Sequence, residues 1–160
     1  MILRLYHQAS HKRRILDIRD DVTFRSFVDV YNFIKGENLI KGTYHCGRKL
    51  NNKYFLWVPQ LTVIRDDGTS NSLGGWKNFL SEDHKEVREA VPSDMKKETK
   101  IGPWQEVNKR IVFMKMKDRF GKTCTKFIGV FKATEIIREN KDKIRIYKRI
   151  NTEINLDELR

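Results

Sequence analysis

Cysteine, proline and long apolar runs are all scarce in this chain of 160 residues, and each scarcity removes a class of protein. Two cysteines, Cys46 and Cys124, stand far apart in the sequence and cannot build a disulfide framework, which points to a reducing cytoplasm and to small buried thiols. Three prolines among 160 residues exclude a polyproline or low-complexity linker protein. No apolar stretch approaches the roughly 20 residues that a bilayer-crossing helix needs, and Ile2, Leu3 and Leu5 alternate with Arg4, Tyr6 and His7 in a pattern unlike a signal peptide. The sequence also lacks a Gly-x-Ser-x-Gly elbow and a phosphate-binding glycine loop, since Gly74-Gly75 is not followed by Lys-Ser/Thr. It carries no internal repeat.

Charge is what the chain has in excess. Lysine and arginine number 33 against 21 acidic residues, a net charge of +12, with an isoelectric point near 9.8. Residues 1–80 hold 13 basic and 7 acidic side chains and residues 81–160 hold 20 and 14, so the excess of +6 in each half belongs to a fold and not to a tail. Such a field favours a polyanionic partner, nucleic acid first, with DNA favoured over RNA; no basic amphipathic helix points to a membrane surface.

The hydrophobic pattern predicts one single-domain α+β fold over 1–160, with an irregular insertion at about 65–105. Between Asp20 and Gly36, the residues Phe24, Phe27, Val28, Tyr31 and Ile34 recur at helical spacing. Asp20 or Asp21 is placed to cap the start and Gly36 to end it, while Arg25, Asp29 and Asn32 fall on the opposite face. A short apolar stretch, Leu39 to Cys46, precedes an Asn51-Asn52 turn and a strand candidate over Lys53 to Ile64, in which Tyr54 to Val58 are β-formers and Pro59 breaks the strand or confines it to an edge. Ser81 to Val91 reads as a helix-like piece inside the insertion. Arg110 to Phe131 reads as a β-hairpin turning at Gly121, Ala133 to Glu139 as a helical turn, and Lys143 to Ile150 as a last strand. In that strand Ile144, Ile146 and Ile150 form a core face, and Arg145, Tyr147 and Arg149 form an exposed one. The sum is a mostly antiparallel sheet curled into an open barrel, with one main N-terminal helix.

Catalytic chemistry finds little support. His7 and His11 have the i, i+4 spacing of a zinc pair but no third ligand, so no metal, cofactor or catalytic residue is assigned. A small metal-dependent nuclease built on Asp66, Asp83 and Lys85 is one alternative, because an acidic residue, a spacer and a lysine downstream of an aspartate can hold a divalent ion. A protein-binding module or inhibitor is another. The better-supported surface combines cations with flat rings: Lys12, Arg13, Arg14, Trp76, Lys77, Trp104, Arg145, Tyr147 and Arg149. Trp57 reads as core, whereas Trp76 and Trp104 lie in glycine- or proline-flanked loops open to either role.

The run Arg110 to Phe131, ending Phe127-Ile128-Gly129-Val130-Phe131, followed by Ile146-Tyr147-Lys148-Arg149-Ile150, resembles the closing hairpin of small pseudobarrel nucleic-acid-reading modules. These are the DNA-recognition modules of bacterial restriction systems and the related pseudouridine-synthase-associated type. The resemblance implies a curled sheet whose loops bind DNA or RNA and grip a flipped or modified base, with Trp76 and Trp104 as pocket residues. It also implies a non-catalytic role, as the recognition domain of a restriction or host-defence protein that works with a larger polypeptide or nuclease partner.

Overall fold

The computed structural model describes residues 14–20, 22–36, 47–71, 75–91, 109–140 and 142–160. The Leu39 to Cys46 stretch, the His7/His11 pair, Lys12, Arg13 and Trp104 lie outside them. Strand β1 (Ile15–Asp17) and strand β2 (Thr23–Phe24) precede the helix α1 (Phe27–Lys35). The remaining strands are β3 (Gly47–Lys49), β4 (Tyr54–Trp57), β5 (Lys77–Leu80), β6 (Glu86–Val91), β7 (Lys109–Lys117), β8 (Thr123–Glu139), β9 (Asp142–Asn151) and β10 (Glu153–Asn155). An eight-stranded sheet runs β3-β4-β7-β8-β9-β6-β5 with β2 added on β8, and β1 pairs with β10 separately. The β4–β7 pair is parallel and every other is antiparallel, which makes the mostly antiparallel, open pseudobarrel that the sequence predicts.

The helix is shorter than its periodicity suggests. Ser26, not Asp20 or Asp21, caps it, its hydroxyl accepting from the Asp29 amide at 3.2 Å. Asp20 instead accepts from the Asp17 amide in the turn after β1. Phe24 leaves the helical register because β2 joins the sheet, where its ring meets Phe33 and Phe113 at 5.0 and 5.6 Å. Gly36 ends the helix as expected, at φ 76° with its N–H on Asn32 O. Cations close the same end: Lys35 Nζ donates to Leu50 O and Leu159 O, and Arg160 Nε donates to Ile34 O.

Two further expectations are corrected. Residues Ser81 to Val91 form no helix; they turn from β5 into β6. The Ser81 hydroxyl donates to Asp83 Oδ1 at 2.7 Å and accepts from the Lys85 and Glu86 amides. His84 takes φ 58° in that turn, and β6 then finds its ladder on β9. A local polar knot plus a long-range pairing outweighs weak helical patterning. Ala133 to Glu139 likewise continues β8 against β9, with Ile137 opposite Ile144.

Strand β8 is 17 residues long and bends because it carries extra residues. The register with β7 slips at Ile128, between Val112↔Gly129 and Phe113↔Phe127. Gly129 sits there at φ 133°, and a Cβ on it would lie 2.5 Å from Arg149 Cδ and 2.9 Å from Asn151 O. Gly129→Ala is therefore expected to cost about 2–4 kcal/mol, from backbone strain and overpacking together. Denaturant unfolding checks this; a loss below about 0.5 kcal/mol would show that the strand reshapes freely.

Curling gives the sheet two covered faces. On one, α1 and the C-terminal segment bury Val30, Ile34, Leu56, Ile111, Phe113 and Leu156. On the other, Trp57, Val87, Val112, Met114, Phe131 and Tyr147 form a second cluster. This is why β9 does not present an exposed cationic face: Ile144, Arg145, Ile146 and Tyr147 are all buried, Arg145 being only 4% exposed. Arg149 is half-buried. Among the described residues no helix is long and apolar enough to cross a membrane.

Candidate nucleic-acid interface

A cleft of about 820 Å³ opens where Trp57 and Phe55 of the second cluster reach the surface. Strand β4 ends at Trp57, and Pro59, which cannot donate to a ladder, releases the chain into a long loop along one side of it. That loop is held in place by hydrogen bonds: Thr62 N donates to Asn78 O at 2.9 Å, Val63 N to Asn71 Oδ1 at 2.8 Å and Asn71 Nδ2 to Leu61 O at 3.1 Å. It leads back to Trp76, whose ring lies on the cleft wall just before β5.

Across the β6–β9 ladder, Glu89 faces Arg145 in register, and Arg145 Nη1 meets Glu89 Oε1 at 3.1 Å. Both side chains are largely shielded from water, so this ion pair is held in a low-dielectric wall. The Arg145 guanidinium also lies 5.9 Å from the Trp76 ring centre. Below, Tyr147 donates its hydroxyl to the same Glu89 oxygen at 3.4 Å, and its ring packs on Trp57 at 4.8 Å. Burial and the neighbouring Glu89 charge push the Tyr147 phenol up to about 12, so it remains a protonated donor at neutral pH.

Three buried polar atoms at the cleft have no hydrogen-bond partner among the described residues: Asn78 Oδ1, Arg110 Nε and Arg145 Nε, the last on a guanidinium whose Nη1 meets Glu89. The Asn78 amide is oriented by its Nδ2 bond to Gln60 O at 3.2 Å, which leaves the carbonyl oxygen as an unspent acceptor. The exposed cations Arg25 and Lys115 stand on the lining as well, so among the described residues Glu89 is the single carboxylate there against four basic side chains. Stacking on an indole, a carboxylate acceptor and an amide acceptor, inside a basic rim, suit a planar polar ring attached to a polyanion.

Of the residues singled out from sequence, the structure brings Trp76 and Arg145 together on the cleft, with Tyr147 beneath them. Lys77 follows Trp76 on β5 opposite Ala90 and is not part of the lining. Arg149 lies over Gly129 with Nη1 on Ile128 O at 3.3 Å, away from the cleft wall. Arg14 is exposed at the entry to β1, where its carbonyl accepts from Leu156 N. Sequence reading missed Glu89, Asn78 and Arg110. The first lies in a segment that reads as helical, and the third looks like the polar start of an apolar strand.

The alternative nuclease residues sit in two different turns. Asp66 is in the exposed turn bounded by the Ile64–Ser70 bridge, whereas Asp83 is in the β5–β6 turn, with one oxygen committed to the Ser81 hydroxyl and the Lys85 amide. Among the described residues no three His, Cys, Asp or Glu side chains gather as a metal site.

Comparison with known proteins identifies a family and a similar solved structure. The family model described as the SET and RING associated domain matches residues 9–156. Among solved structures, the 5-hydroxymethylcytosine-specific restriction enzyme AbaSI shares the fold, with a TM-score of 0.70 and 20% sequence identity. The match covers 97% of this chain and 47% of that one, so the chain spans about half the length of the enzyme. No curated protein matches it by sequence.

Proposed function

The chain belongs to the SET and RING associated domain family, and from that premise we propose that it is a non-catalytic DNA-recognition module that receives a modified base turned out of the duplex. The observation that carries this is the cleft in which the Trp76 ring, the Arg145-held Glu89 carboxylate and the Asn78 carbonyl converge. The fold it shares with a 5-hydroxymethylcytosine-specific enzyme supports a modified cytosine as the occupant. A base has to leave the stack to reach a closed wall, at a cost of a few kcal/mol, which stacking and edge contacts then offset.

Each contact has a chemical counterpart on such a base. The Trp76 indole supplies a stacking face. The Glu89 carboxylate accepts from the exocyclic amino group of cytosine, as acidic side chains do at cytosine N4. The Asn78 carbonyl accepts from a hydroxyl on the C5 substituent, and a bare methyl would leave that buried oxygen unsatisfied. The cations around the rim hold phosphates. The comparison enzyme is twice this length, which fits a recognition domain serving a nuclease partner in a cytoplasmic restriction or host-defence system.

The test is binding of labelled duplexes that carry cytosine, 5-methylcytosine or 5-hydroxymethylcytosine at one position. The modified duplex is expected to bind more tightly than the unmodified one. Trp76→Ala is expected to lower that affinity about tenfold or more, from the roughly 1–3 kcal/mol of one stacked base, while leaving binding to unmodified DNA unchanged. Equal affinity for all three duplexes in the unaltered protein would reject the reading.

A further inference from the structure

Arg110 stands in the cleft as a buried cation with unspent donors. Its residue is only 6% exposed. Its guanidinium carbon lies 4.7 Å from the ring centre of Phe55 and 5.1 Å from those of Trp57 and Tyr147. Three aromatic faces around one guanidinium hold the ion in place. Rings, however, accept nothing in the plane of the guanidinium. Among the described residues no carboxylate pairs with Arg110, and its Nε lacks a hydrogen-bond partner. Arg145 in the same cleft shares the unbonded Nε but differs in charge pairing, because Glu89 answers its Nη1 at 3.1 Å.

A buried cation loses its hydration, and cation–π contacts return only part of that. The remaining need is for an in-plane acceptor with negative charge, the geometry in which a guanidinium grips a carboxylate or a phosphate with two parallel bonds. We infer that Arg110 is a specificity-determining residue of the cleft that takes an anionic oxygen of the bound nucleotide. This rests on the proposed base-receiving role of the cleft. Two parts of a nucleotide supply such an oxygen: the phosphate beside the extruded base, and a carboxylate at C5 where the methyl carbon is fully oxidised. The shared chemistry is a fork of N–H donors closing on a planar or tetrahedral oxyanion.

The experiment measures anisotropy with the full chain and duplexes bearing 5-methyl-, 5-hydroxymethyl- or 5-carboxycytosine, and a 5-hydroxymethyl duplex with neutral methylphosphonates on either side of the base. One of two results is expected from the unaltered protein. Either the carboxylate duplex binds at least tenfold more tightly than the methyl one, identifying the base substituent, or the methylphosphonates weaken binding at least tenfold, identifying the phosphate. Arg110→Met is expected to abolish that difference, and Arg110→Lys to keep part of it through charge alone. A protein that prefers modified duplexes yet changes less than twofold with both DNA substitutions overturns the inference, as does an Arg110→Met variant that retains the full difference. A protein with no preference for any modified base rejects the underlying reading instead. If Arg110→Met does not fold, the DNA substitutions tested on the unaltered protein still decide.

Discussion

Glu89→Ala is expected to destabilise the domain by about 3–5 kcal/mol, the usual cost of stranding one partner of a buried ion pair. Arg145 is 4% exposed and meets Glu89 Oε1 at 3.1 Å, and the Tyr147 hydroxyl leans on the same oxygen. Removing the carboxylate therefore takes the counter-charge from a guanidinium that water does not reach and an acceptor from a phenol that is fully buried. Glu89→Gln should cost less, because an amide oxygen still accepts from both groups and only the charge is lost. The double substitution Glu89→Ala with Arg145→Met should recover part of the loss, since no charge is then left buried without a partner. Urea unfolding of the four proteins checks the ordering. A single Glu89→Ala loss under 1 kcal/mol, or a double variant no better than the single, would mean that the pair is hydrated and does not wall the cleft.

The same pair shows where the sequence is legible and where it is not. Local signals read well when one residue type settles a conformation: Gly36 ends the helix, Gly121 turns the hairpin at φ 75°, and Pro59 releases β4. Runs of β-formers in β7 and β9 are equally plain, because periodicity and composition agree. The cleft is harder, because it is made by pairings distant in sequence. Glu89 becomes a site residue only when β6 lies beside β9, which places it opposite Arg145. Arg110 becomes one only when β4 lies parallel to β7 and sets Phe55 beside it. Alternation along β9 separates two faces but does not say whether both are covered; the curl of the sheet covers both, and Arg145 and Tyr147 go inward. Trp76 was recognisable as a flat ring in a glycine-flanked loop, without any indication of the carboxylate it would stand near.

Raising monovalent salt from 50 to 200 mM is expected to weaken DNA binding by a factor of about 10³ or more, as it does for proteins that neutralise six or more phosphates. The net charge of +12 is distributed through both halves of the chain, so the fold carries enough surface cations to displace that many counterions. Buried Arg145 is not part of this count, because it pairs with Glu89, and Arg110 adds at most one contact, made inside the cleft. Exposed Arg25 and Lys115 on the cleft rim are part of it, and replacing either with alanine should lower the slope of log affinity against log salt by about 1. Trp76→Ala should do the opposite, lowering the affinity for the modified duplex at every salt concentration while leaving the slope intact, because stacking releases no counterions. The two lines for modified and unmodified DNA should thus fall in parallel, separated by what the cleft alone contributes. A slope near zero would make the positive charge a matter of hydration, and lines that converge at high salt would mean that discrimination arises at the rim instead of within the cleft.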